Sequence, residues 1–123
     1  MFATSTYDGF ICLYIIPNKL ITMIKNPYNS YFSKIFLSAN PFPSIIAFDK
    51  NEKILISYSL SGLFIKKIKL LENISDFQIF PLFNVYGGTF KDRIFIFSQK
   101  GHFSILNVPF FNNEKEIYKK ATN

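Results

Sequence analysis

The chain has 123 residues, enough for one ordinary domain, and a formal net charge of +6. Thirteen of its fourteen basic residues are Lys, and Phe, Ile, Lys, Asn and Tyr make up 65 of the 123 residues. Because the codons of these five are rich in A and T, base composition explains the positive charge better than a nucleic-acid or membrane partner. The single Cys12, inside an apolar run, excludes a disulfide framework, and no signal peptide or ~20-residue apolar span occurs. We therefore expect a cytoplasmic protein.

The first segment, 1–26, predicts three strands at about 2–6, 10–16 and 19–25. Residues 10 to 16 are apolar at successive positions, which is typical of a strand covered on both faces. Asp8 and Gly9 are predicted to form a turn. No strand precedes residue 2, so this segment predicts a propeller blade that begins part-way through. In such a terminal blade we expect an exposed apolar face with Ile11, Leu13 and Ile15.

The middle segment, 32–70, predicts a complete four-stranded blade with strands near 32–39, 44–49, 53–60 and 63–70. Residues 26 to 31 form the connection before it, since Pro27 is disfavoured in a central strand. Gly62 is predicted to form the last turn. Lys66, Lys67 and Lys69 lie on the outermost strand, where lysines discourage unwanted strand pairing. The alternative is that they contact acidic lipid headgroups or RNA.

The last segment, 76–120, predicts a third blade with strands near 76–82, 93–98 and 102–108, and a turn at Gly101. Residues 83–92 are interpreted as an insertion. A rival assignment makes 85–89 the second strand and 93–99 the third. The tail from Asn112 is polar and charged, and it fits either an outer strand or a short helix.

Two glycines reveal a repeat. Gly9 is followed eight residues later by Pro17, and Gly101 is followed eight residues later by Pro109. The two glycines are 92 positions apart, and a similar turn at 49–52 lies between them. A period in the 40s made of short strands is typical of propeller blades. The sequence therefore predicts an all-β fold, a WD40-like β-propeller segment of about two and a half to three four-stranded antiparallel blades. Since a ring takes about four to eight blades, we expect a fragment of one.

No catalytic, cofactor-binding or metal site is predicted. His102 is the only histidine, and with one cysteine it cannot complete a common zinc site. Gly87 and Gly88 lack the other positions of a phosphate-binding loop. Phe110 and Phe111 form an apolar pair after a proline, which predicts either packing against a neighbouring blade or a partner-binding patch.

Several segments, in their order along the chain, resemble the C-terminal WD40-type propeller that follows the BEACH domain in proteins of the neurobeachin, beige and lysosomal-trafficking-regulator class. They are residues 2–9, 13–17, 36–44, 57–62 and 108–110. Tyr14 stands where a WD repeat carries Trp, and the chain contains no Trp.

This resemblance implies a non-enzymatic scaffold that binds protein partners in membrane trafficking. It also implies a cytoplasmic location, peripheral to endomembranes. A BEACH domain and further blades are expected outside this chain. Two alternatives stay open. One is a basic module that binds RNA or anionic membrane, and the other is part of a propeller enzyme whose catalytic residues lie on other blades.

Overall fold

The computed structural model describes the backbone of residues 1–16, 18–84 and 89–113, and the side chains of 1–16, 18–80 and 91–111. All regular structure in these ranges is β-strand, with no helix. The strands form three antiparallel sheets, each made of strands that are consecutive in the chain. The all-β class is therefore confirmed, as three antiparallel sheets of three or four strands each.

The strand bounds follow the predicted pattern closely. The first sheet contains β1 (Phe2–Ser5), β2 (Phe10–Ile15) and β3 (Lys19–Lys25). The second sheet contains β4 (Lys34–Ser38), β5 (Ser44–Asp49), β6 (Ile54–Ser59) and β7 (Phe64–Lys69). The third sheet contains β8 (Ile74–Asn84), β9 (Thr89–Ser98), β10 (Phe103–Asn107) and β11 (Asn112–Asn113).

The sheets stack face to face on two apolar clusters. The first cluster joins the first and second sheets and includes Ile11, Leu13, Ile24, Ile45, Ala47, Ile54, Ile56 and Tyr58. The second joins the second and third sheets and includes Ile46, Phe48, Leu55, Phe77, Ile94, Ile96 and Leu106. Every residue of β5 is buried, because successive side chains point into different clusters. This burial on both faces explains why polar and apolar residues do not alternate along β5.

One turn recurs three times, at residues 6–10, 59–63 and 98–102. In each, a glycine N–H donates to a carbonyl three residues earlier, at 3.0 to 3.1 Å. A Thr or Ser hydroxyl at the first position also accepts the N–H four residues later, at 3.1 Å. Gly9, Gly62 and Gly101 hold φ values of +95°, +92° and +87°, which a residue without a side chain adopts at least cost. Asp8 lies in the first of these turns and accepts a hydrogen bond from Thr6.

The prediction of an insertion at 83–92 is wrong. β8 runs to Asn84 and β9 starts at Thr89, so the two strands extend into this region as one long antiparallel pair, with Asn84 paired to Thr89 and Pro81 to Asp92. The segment contains Phe and Thr residues that suit a strand, whereas the prediction relied on glycine and proline spacing alone. The rival assignment is also wrong, because β9 (Thr89–Ser98) is the second strand and pairs with both β8 and β10. Gly87 and Gly88 lie outside the described residues.

The start of the tail is a strand. Asn112 and Asn113 pair with Asn107 and Leu106, which favours the outer strand over the helix at these two positions. The predicted blade at 76–120 begins two residues earlier, at Ile74. Residues 114–123 lie outside the described part of the chain.

Candidate interaction surfaces

Two loops bring a pair of exposed phenylalanines together. Phe42 lies between β4 and β5, and Phe110 follows β10. Their ring centroids are 6.0 Å apart with an interplanar angle of 64°, an edge-to-face contact. Phe42 is 38% exposed and Phe110 is 48% exposed. We call the loops 39–43 and 108–111, with these two side chains, the aromatic rim.

A buried carboxylate holds the first loop of the aromatic rim. Asp92, on β9, accepts hydrogen bonds at Oδ2 from the Ser38 hydroxyl at 2.7 Å, the Ala39 N–H at 3.0 Å and the Asn40 N–H at 3.3 Å. Its own N–H donates to the Asn40 carbonyl. Because one carboxylate oxygen accepts from three donors, the loop is fixed relative to the third sheet.

The second loop of the aromatic rim is held by a hydroxyl and by a buried ring. Ser57 Oγ donates to the Pro109 carbonyl at 2.6 Å, and the Val108 N–H donates to the Asp92 carbonyl at 3.4 Å. Phe111 has a φ of +58°, is only 6% exposed, and belongs to the second apolar cluster. The two residues of the predicted pair therefore differ: Phe110 is on the surface, and Phe111 packs between the second and third sheets.

The outer face of the first sheet carries apolar side chains that no described residue of another sheet covers. Phe2 and Tyr14 stack there at 5.1 Å, and their neighbours Leu20 and Met23 are exposed. The expectation that Ile11 and Leu13 would be exposed is wrong, because both pack fully against the second sheet. Ile15 is exposed as expected.

The outer face of the third sheet is aromatic. It presents Phe80, Phe95, Phe97 and Phe103, which form two ring pairs. The first pair lies 5.2 Å apart, edge to face, and the second 5.9 Å apart, stacked. Phe80 and Phe97 are exposed, at 39% each.

A second buried carboxylate joins the first two sheets. Asp49 accepts hydrogen bonds from Asn26 Nδ2 at 2.8 Å, from the Ser30 hydroxyl at 3.2 Å and from the Glu52 N–H at 3.0 Å. The turn predicted at 49–52 accounts for the contact between Asp49 and the Glu52 N–H. The contacts to Asn26 and Ser30 were missed because they join positions far apart in sequence.

His102 pairs with an acid on the linker between the second and third sheets. Its Nδ1 lies 2.8 Å from Glu72 Oε1, beside a groove of about 310 Å³. Hydrogen bonds from Ser98 and from His102 lower the pKa of the Glu72 carboxyl. Both side chains contact solvent. Within the described ranges, no three His, Cys, Asp or Glu residues are grouped as a metal site would need.

The predicted lysine edge is present on β7. Lys66, Lys67 and Lys69 are all exposed on this edge strand of the second sheet. The Lys67 amine donates to the Tyr28 hydroxyl at 3.0 Å and lies over the Tyr28 ring. A search of the described residues for a helix able to cross a membrane finds none.

The chain matches no protein-family model, no curated protein and no solved structure with which it was compared.

Proposed function

We propose that this chain is part of a non-enzymatic scaffold that binds protein partners through the aromatic rim. The observation that carries the proposal is an exposed phenylalanine pair on two loops that are held by buried hydrogen bonds. Loops mounted on a rigid β framework are common positions for binding residues. The partner that fits is a protein segment with an apolar or aromatic side chain.

The fixed loops favour binding because little conformational freedom remains to be lost. Ordering one flexible side chain or loop residue costs about 0.5 to 1.5 kcal/mol on association. Asp92 and Ser57 already restrain the backbone beside Phe42 and Phe110. Aromatic side chains are also common among the residues that dominate binding energy.

We further propose that the scaffold belongs to a BEACH-type membrane-trafficking protein with a cytoplasmic location. The support is the set of resembling segments and their order along the chain. Sequencing the transcript that encodes Met1 tests this proposal. A BEACH domain encoded upstream in the same reading frame is expected, and an intact upstream reading frame without one would contradict the assignment.

The binding role is tested with the chain as bait and with two variants. Phe42→Ser combined with Phe110→Ser should abolish recovery of the proteins that the wild-type chain captures, because it removes both exposed rings. The matched control replaces Lys66, Lys67 and Lys69 with Gln and should leave that recovery unchanged. Circular dichroism should show the same strand signal in all variants.

The same variants distinguish the alternatives. If the lysine variant loses binding to RNA or to vesicles with anionic lipids while the phenylalanine variant retains every interaction, the basic module becomes the better function. Phosphate contacts of that kind weaken steeply as salt concentration rises, so the binding would also decrease between 50 and 200 mM salt.

A further inference from the structure

Three clefts meet around Lys50, at the end of the sheets that lies opposite the aromatic rim. Their volumes are about 440, 180 and 330 Å³, and Lys50 lines all three. The first cleft extends to Tyr7 and the third extends to Gln99. The loop 39–43 comes directly before β5 and the turn 50–53 directly after it, so they lie at opposite ends of that strand. We call the three clefts together the Lys50 groove, and it is separate from the aromatic rim.

Hydrogen bonds between loops fix the walls of the Lys50 groove. The Asn26 N–H donates to the Gly9 carbonyl at 2.7 Å, which joins the first turn to the connection before β4. The Lys50 N–H donates to the Ser33 hydroxyl at 3.0 Å, and that hydroxyl donates to the Phe48 carbonyl at 3.1 Å. Because these loops are already tied to one another, little of this surface must be ordered when a ligand binds.

Two lysines of one turn give the groove a positive charge. Lys50 and Lys53 lie between β5 and β6, and both line the third cleft. In the part of the chain that the structure describes, neither of them forms an ion pair. Glu52 lies between them in sequence but lines none of the three clefts. Each ammonium group is therefore available to the carboxylate of a ligand.

The two carboxylates that line the groove already have partners. Asp76 Oδ1 lies 3.9 Å from Lys34 Nζ, and Glu72 Oε1 lies 2.8 Å from His102 Nδ1. The described lining thus contains three lysines and two carboxylates, and both carboxylates are directed at groups other than the two turn lysines. The charge of the groove therefore favours an acidic ligand.

A pair of tyrosines lies at the end of the groove beside the first sheet. The ring centroids of Tyr7 and Tyr31 are 5.4 Å apart with an interplanar angle of 66°, an edge-to-face contact. Both rings line the first cleft, and Tyr7 is 90% exposed. An exposed ring held by a second ring offers an apolar surface to an aromatic side chain of a ligand.

The other end of the groove is lined by side-chain amides. Asn51, Asn73 and Gln99 line the third cleft, and all three residues are exposed. An amide side chain both donates and accepts hydrogen bonds, so it can pair with the N–H and C=O groups of a peptide backbone. This lining suits a polypeptide that lies along the groove.

We propose that the Lys50 groove binds an extended acidic segment of a partner protein. An aromatic side chain of the segment lies against Tyr7, its carboxylates pair with Lys50 and Lys53, and its backbone pairs with the amides. A protein segment fits better than a nucleic acid, because the described lining residues include no arginine, whose planar fork suits phosphate. This second binding surface goes beyond the proposed role of the aromatic rim and does not depend on it.

Fluorescence anisotropy with the full chain tests the proposal. The probe is a labelled peptide that has one Phe followed by a run of Glu. Lys50→Gln combined with Lys53→Gln should weaken its binding about fivefold or more, because two exposed ion pairs are lost. The matched control, Lys66→Gln combined with Lys69→Gln, removes two charges from β7 and should leave the affinity unchanged. A wild-type chain that does not bind the peptide, or equal losses in the two double variants, would overturn the proposal.

Tyr7→Ser separates the aromatic contact from the charge. It should weaken binding of the peptide with Phe, and it should not affect the same peptide with Gly in place of Phe. Equal effects on both peptides would contradict the contact with Tyr7.

Two further measurements distinguish this site from other sites and ligands. Phe42→Ser combined with Phe110→Ser should leave the peptide affinity unchanged, which separates the Lys50 groove from the aromatic rim. Circular dichroism should show the wild-type strand signal in every variant. If single-stranded RNA binds more tightly than the peptide and depends on Lys50 and Lys53, the groove is a phosphate site and the proposal fails.

Discussion

Two glycines with the same backbone conformation differ in the space around them. A Cβ added at Gly101 would meet no atom within 4 Å, whereas one at Gly9 would lie 2.6 Å from the Ser30 carbonyl oxygen. Gly101→Ala should therefore lower the free energy of unfolding only by the left-handed strain, about 1 to 2 kcal/mol. Gly9→Ala should cost at least about 1 kcal/mol more, because the loop at Ser30 must move. Urea denaturation measures both, and equal costs would contradict the close approach at Gly9.

Phe110 and Phe111 are adjacent in sequence but differ in burial. Phe111→Ala removes a ring from the second apolar cluster and should lower the free energy of unfolding by about 3 kcal/mol or more. Phe110→Ala removes an exposed ring and should cost less than about 1 kcal/mol. Thermal denaturation of both variants checks this difference. A larger loss of unfolding free energy at Phe110 than at Phe111 would mean that Phe110, and not Phe111, packs in the core.

At the scale of the elements, Asp92 joins the third sheet to the loop between β4 and β5. Asp92→Ala leaves the Ser38 hydroxyl and the Ala39 and Asn40 N–H groups without their acceptor. We expect a loss of about 2 to 4 kcal/mol in the free energy of unfolding and faster hydrogen exchange at the Ala39 and Asn40 amides. The control is Asp76→Ala, whose exposed ion pair with Lys34 at 3.9 Å contributes less than about 1 kcal/mol. Slow exchange at both amides in the Asp92 variant would refute the bridging role.

The contact between the first and second sheets predicts a dependence on alkaline pH. Burial raises the pKa of Tyr58 from 10.0 to about 12, and the nearby Tyr28 adds to the rise. The unfolded chain releases this proton near pH 10 while the folded chain retains it, so the unfolded state binds fewer protons above pH 10. The contribution of the neutral Tyr58 hydroxyl to the free energy of unfolding is complete below pH 10 and is lost as the pH rises toward 12. Denaturation curves from pH 8 to 12 measure how the free energy of unfolding falls with pH. Tyr58→Phe should make this fall less steep, and an unchanged slope would contradict the prediction.

At the scale of the whole molecule, exposed apolar side chains on the first and third sheets affect how the chain behaves in solution. Apolar patches of this kind promote association. The chain should increase the fluorescence of a hydrophobic dye, because the side chains of Phe97 and Met23 are exposed. The measurement is a dye titration at several protein concentrations. A cooperatively folded monomer that binds no dye at any concentration would contradict this prediction.

The sequence by itself determined most strand positions and the fold class. Runs such as residues 54–59, rich in β-branched and aromatic side chains and bounded by turn residues, form strands through preferences that act over a few residues. The left-handed turns at Gly9, Gly62 and Gly101 follow from the same short-range chemistry.

Only the tertiary structure decided which surfaces are free. Residues 10 to 16 are apolar on both faces, so their pattern could not show that Ile11 and Leu13 are covered while Tyr14 faces outward. The hairpin at 83–92 depends on pairing between strands, and the roles of Asp49 and Asp92 depend on donors 19 to 54 positions away. Phe111 is buried because it packs in the second apolar cluster, whereas its neighbour Phe110 is exposed. Each of these outcomes depends on contacts between distant segments, which local preferences do not encode.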